Sequence, residues 1–167
     1  MSVCNLSITL PLLSEYNSIW KNTQIKTLVE PRRLWVLQSF GYDLDMLSFA
    51  LGIMQPYVHK FIISESTHYY MRLKRKPLYL KTHLHTLNKQ IQEKIILLNA
   101  DQEWDKKCKR HQVQKKWCLE YVQMNQLLEI LLKKASSNDL ALLADTDEIP
   151  YPHALRKIIH CSLLGPH

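Results

Sequence analysis

Asp145, Asp147 and Glu148 stand together in Asp145-Thr146-Asp147-Glu148-Ile149-Pro150, directly after the apolar run Leu140–Ala144. That run reads as a buried strand, and the carboxylates begin where the strand must stop. Held extended, Asp145 and Asp147 point to the same side, because side chains alternate along a strand. Two same-facing carboxylates suit a hard divalent cation, which takes oxygen ligands. Such an ion can hold a diphosphate and neutralise the charge of a leaving group. The plain alternative is a solvated loop that caps a helix starting near Pro152.

Other groups have two readings as well. Glu65, with Ser66 and Thr67, is either a capping or turn cluster or a ligand contact at the end of a strand. Lys76 closes the basic cluster Arg72-Leu73-Lys74-Arg75-Lys76, which in isolation is a solvated loop. His83 and His85 are flanked by leucines and read as exposed helix positions rather than a metal pair. His153 reads as surface. Trp117 and Tyr121, four residues apart, read as core packing rather than a sugar platform.

These residues need a scaffold. Leu34–Phe40, Val58–Ser64, Ile95–Leu98 and Leu140–Ala144 read as strands. Between them, Leu44, Leu47, Leu51 and Met54 recur at helical spacing until Pro56, with Asp43 and Asp45 at the helix start. Further helices are predicted over His83–Gln92, Lys107–Lys134 and His153–Ile159. Strands alternating with helices predict an α/β fold, a mainly parallel sheet with helices on both faces. Ligands bind such sheets beyond the C-terminal strand edges, where Glu65 and Asp145–Glu148 fall. Residues 1–30 show no sustained period and read as a poorly ordered leader or stem, leaving 31–167 as one domain.

Composition narrows the class. A chain of 167 residues with 46% hydrophobic content is globular and carries one core. Gly41, Gly52 and Gly165 are its three glycines, which rules out a glycine-rich phosphate loop. The formal charge of +7 implies attraction to anions. No nucleic-acid reader motif accompanies it, so no nucleic-acid partner is expected. Cys4, Cys108, Cys118 and Cys161 lack Cys-x-x-Cys spacing, and buried or free thiols are expected. No apolar run reaches the ~20 residues that span a bilayer, and the N-terminus is a poor signal peptide. Asn5-Leu6-Ser7 fits a glycosylation acceptor if the chain enters a secretory lumen.

Five segments in order resemble glycosyltransferase family 17: Tyr42-Asp43-Leu44-Asp45-Met46-Leu47, Phe61–Thr67, Lys76-Pro77-Leu78, Trp117 with Glu120 and Gln123-x-Asn125, and Asp145–Pro150. They cover about Arg32 to Ile159. The animal members are β-1,4-mannosyl-glycoprotein N-acetylglucosaminyltransferases, which add the bisecting sugar to N-glycans. The resemblance implies a GT-A-like nucleotide-sugar-binding fold, a UDP-GlcNAc donor, a glycan or glycoprotein acceptor and Mn2+ or Mg2+. It implies Asp147 as the metal ligand, Asp145 on the ribose or the metal shell, and Glu148, Glu65 and Lys76 on the donor. It also implies inverting transfer and a Golgi membrane or lumenal location, with an anchor that is not visible in this chain. Two family arginines are replaced by Leu119 and Met124, and no catalytic base can be assigned. The chain stops about 20 residues after the acidic motif, so a C-terminally truncated domain is expected. The alternative function is a truncated, non-catalytic remnant that binds nucleotide weakly or a protein partner.

Overall fold

The computed structural model of the chain describes residues 24–69, 74–101 and 115–164. Its strands are Gln24–Thr27 (β1), Leu34–Phe40 (β2), Lys60–Glu65 (β3), Ile95–Asn99 (β4), Leu140–Leu143 (β5) and Cys161–Leu164 (β6). Its helices are Leu44–Met54 (α1), Tyr79–His83 (α2), Lys89–Gln92 (α3), Lys115–Lys134 (α4) and Pro152–His160 (α5), with a 3-10 turn at Leu84–Thr86.

β2 to β5 form one four-stranded sheet in the order β4-β3-β2-β5, parallel throughout. The α/β expectation therefore holds. Alternation along the strands sorts their side chains onto two faces. Val36, Phe40, Phe61 and Ile63 pack with Leu47 and Leu51 of α1, Leu80 of α2 and Leu155 of α5. On the opposite face Trp35, Leu37 and Ile62 pack against Leu127 of α4, with Met124, Ile130 and Leu131 around it. Burying each such side chain contributes ~2 kcal/mol, and both sheet faces are used.

α1 begins as expected: Asp43 is its N-cap and accepts a hydrogen bond from the Met46 amide at 2.9 Å. The single helix expected over His83–Gln92 is instead broken. Leu87 is extended, and Asn88 caps α3 by accepting from the Gln90 amide. Asparagine competes for nearby backbone donors and so starts a new helix rather than continuing an old one. The part of the long predicted helix that precedes Lys115 lies outside the described residues.

Within the stretch expected as a leader, β1 pairs antiparallel with β6, Gln24 opposite Leu164 and Thr27 opposite Cys161. Arg32 secures this junction by donating to the carbonyls of Ile158 and Cys161, both at 2.7 Å, at the end of α5. Cys118 and Cys161 each take part in a disulfide. This corrects the expectation of free thiols, because which cysteines meet is decided by the fold and not by their spacing in the sequence.

At the opening ends of β2 and β5 sits a charged clip. The Arg33 guanidinium grips Asp139 with two bonds, 3.0 and 2.8 Å. The Trp35 indole N–H, the Ser136 amide and the Ser136 hydroxyl also donate to the same carboxylate. Burial opposes ionisation of Asp139, but these donors outweigh it and hold its carboxyl far below the usual value. Its stabilisation is therefore complete above the ordinary carboxyl pKa of ~4 and is lost as pH falls through the depressed folded value. Asp139→Asn is expected to lower the unfolding free energy by about 2 kcal/mol at pH 7. In urea titrations, the gap from wild type should narrow steadily below about pH 4.

Candidate functional site

The strand order brings together two loops that are a hundred residues apart in the chain. Sheet order reverses between β2 and β5, and at such a reversal a crevice opens beyond the C-terminal strand ends. A cleft of about 530 Å³ lies there. Ser39, Gly41, Tyr42, Asp43 and Met46 line it from the end of β2 and the start of α1, Asp145, Thr146 and Asp147 from the end of β5, and Trp117 and Glu120 from α4.

The acidic segment is not extended. The Glu148 amide donates to the Asp145 carbonyl at 3.1 Å, and the Glu148 carboxylate accepts from the Asp145 amide at 3.0 Å. This tight turn replaces the strand-like alternation expected for Asp145 and Asp147, yet both still line the cleft. Behind the turn, buried Gln38 of β2 reaches the Asp145 carbonyl at 3.5 Å, while its own amide oxygen has no partner. Nor does the loop cap the following helix. The N-cap of α5 is Tyr151, with no side-chain hydrogen bond, and Pro152 opens the helix.

α4 is held over the same strand ends by two glutamines. Gln123, fully buried, donates to the Ser64 carbonyl at 2.7 Å. Gln126 accepts from the Ser64 hydroxyl and donates to the Asn99 carbonyl. Leu119 and Val122 pack with Ala100. This anchoring turns Trp117 and Glu120 into the cleft. Trp117 is 54% exposed and Tyr121 66%, which corrects their reading as core packing. Amphipathic spacing marked α4, but periodicity alone could not separate its apolar solvent stripe from its buried face. The two replaced arginine positions look inward: Leu119 is fully buried and Met124 packs on the Trp35 cluster. Neither lines the cleft.

Glu65 and Lys76 lie elsewhere at the sheet edge. The Glu65 side chain is 1% exposed, and its two oxygens accept from the amides of Leu80 and Lys81 at 3.0 and 3.1 Å. It thereby caps α2. The Lys76 ammonium sits 3.6 Å from Glu65, over the rings of Tyr79 and Phe40, and makes no hydrogen bond. Burial lowers the Lys76 pKa, and Glu65 acts against that shift. Of the five residues expected at the site, Asp145 and Asp147 share the cleft. Glu148 closes their turn, and Glu65 and Lys76 form a separate buried pair. Tyr42, Asp43, Trp117 and Glu120 are the lining residues whose role was not anticipated. The ordered motifs contained them, but strand order was needed to bring them together.

A cation fits this lining through its chemistry. Asp43, Glu120, Asp145 and Asp147 contribute four carboxylates, and none of the described residues lining the cleft is basic. Among the described residues, no group of three His, Cys, Asp or Glu side chains converges to hold an ion unaided. That arrangement suits an ion held by one or two carboxylates and completed by water and phosphate oxygens.

A sequence model of glycosyltransferase family 17 matches residues 17–167, most of the chain. No curated protein and no solved structure matches it.

The buried pair yields a stability test. Glu65→Gln leaves Lys76 as an uncompensated buried charge and is expected to cost about 3 kcal/mol in chemical denaturation. Combining it with Lys76→Met should restore most of that loss. A single variant as stable as wild type would mean that the pair does not hold this edge.

Proposed function

The chain belongs to glycosyltransferase family 17, and from that premise we propose that it transfers N-acetylglucosamine from UDP-GlcNAc to a β-linked mannose of an N-glycan, with inversion at the anomeric carbon. The observation that carries this reading is the acidic cleft at the reversal of strand order, where Asp145 and Asp147 meet the β2 loop.

A nucleoside diphosphate is an anion, and four carboxylates repel it unless a cation intervenes. Asp147 would hold that cation, Mn2+ or Mg2+, with Asp145 on its water shell or on the ribose. When bound, the ion supplies charge neutralisation on the departing diphosphate. Glu148 fixes both aspartates by closing their turn, and Gln38 supports the turn from below. Glu65 and Lys76 serve the site by stabilising the sheet edge, through the cap on α2.

That Cys118 and Cys161 each take part in a disulfide supports folding in an oxidising secretory compartment, in keeping with a Golgi lumenal enzyme. Among the described residues no helix is long and apolar enough to cross a membrane.

Calorimetric titration of UDP-GlcNAc into the chain should give binding with Mn2+ that disappears on adding a chelator. Asp147→Ala is expected to weaken that binding by at least about tenfold while leaving the thermal unfolding temperature near that of wild type. Binding that ignores both the chelator and Asp147→Ala would sink this reading.

A further inference from the structure

The aromatic lining of the cleft is not accounted for by the acidic turn. Trp117 exposes 54% of its surface and Tyr42 64%, and both line the same cleft. Neither exposure is forced by a lack of buried positions. α4 already buries Leu119, Val122 and Leu127, and Tyr42 precedes a helix that buries Leu47, Leu51 and Met54. The Tyr42 ring is held edge-on to Tyr69, with centroids 5.9 Å apart, so it presents one orientation to the cleft. Exposed aromatic surface inside a cavity marks a ligand contact.

Glu120 lies three residues beyond Trp117, and that spacing places both on one helix face. Its carboxylate makes no hydrogen bond or ion pair with any described residue. An ionised carboxylate only accepts hydrogen bonds. A ligand complementary to this wall offers hydrogen-bond donors beside an apolar face. A sugar ring has both, and it is neutral, so the cleft carboxylates do not repel it. A uracil ring stacks equally well but offers a single ring N–H between two carbonyl acceptors, a poorer match to a carboxylate than the several hydroxyls of a sugar.

We infer that the α4 wall of the cleft is a carbohydrate-binding subsite for the acceptor, in which Trp117 stacks on a neutral sugar ring and Glu120 accepts from its hydroxyls. The inference rests on the transferase reading and gives the acceptor side of the cleft a location distinct from the Asp145–Asp147 turn. Tyr42 forms the facing rim.

The test is titration of a soluble β-mannoside oligosaccharide into the full chain, followed by calorimetry and tryptophan fluorescence, with UDP and Mn2+ titrated in parallel. Wild type should bind the oligosaccharide. Trp117→Ala should weaken that binding by about tenfold, Trp117→Phe should retain most of it, and Glu120→Gln should reduce it several-fold. UDP affinity should be unchanged in the two Trp117 variants. A Trp117→Ala protein that binds the oligosaccharide as tightly as wild type overturns the inference. So does one that loses UDP affinity instead, since the indole would then stack on the nucleobase. Wild type that binds no oligosaccharide overturns it whether or not UDP binds. Oligosaccharide binding without UDP binding leaves the subsite standing and removes the donor reading alone.

Discussion

The parallel pairing of β5 with β2 is the constraint on which the rest depends. Parallel neighbours cannot be joined by a hairpin, so each step needs a crossover. The chain moves outward from β2 to β3 to β4 with its helices on one face, and then returns by α4 across the other. That return inserts β5 beside β2 and carries the first turns of α4 over the same strand ends. One topological step thus assembles the three walls of the cleft. With β5 placed at the β4 edge instead, the acidic turn would face neither Tyr42 nor Asp43.

Polar groups inside the fold do the aligning. The Arg33–Asp139 clip sets the starts of β2 and β5 level, and the Leu140 amide bonds the Arg33 carbonyl beside it. At the other end Gln38 meets the acidic turn and Gln123 meets β3. Apolar packing is non-directional and would let α4 slide along its axis. The bonds from Gln123 and Gln126 to Ser64 and Asn99 fix its position. Lys76 and Glu65 extend the same logic to the β3 edge, where an ion pair with little exposure ties a loop to the cap of α2.

Much of this was readable from the chain. The four sheet strands form within one or two residues of their expected bounds, because each is a short apolar run closed by a breaker. The Asp43 cap was legible because capping is local chemistry. What was hidden depends on neighbours distant in sequence. Glu65 looked equally like a cap and a ligand contact, and only the arrival of α2 beside β3 occupied both its oxygens. Trp117 has the composition of a core residue, and its exposure follows from which face of α4 the sheet covers. The turn at Asp145 was missed because its closing bond comes from Glu148, a side-chain choice that alternation does not encode.

Charge is distributed in a way that separates attraction from binding. The chain carries a formal charge of +7, yet the cleft lining collects four carboxylates with no basic residue among those described. Over distances within the Debye length of ~8 Å, an anion in the cleft meets these carboxylates. On the proposed function, the overall charge would draw nucleotides toward the surface, while the cleft carboxylates would oppose an anion that arrives without a cation. On the subsite inferred above, a neutral sugar would not be opposed by the same lining and would meet acceptors for its hydroxyls and an indole for its apolar face. The same four carboxylates would thus discriminate in two directions: they would make anion entry conditional on a cation, and they would leave a neutral polyhydroxyl ligand free to enter.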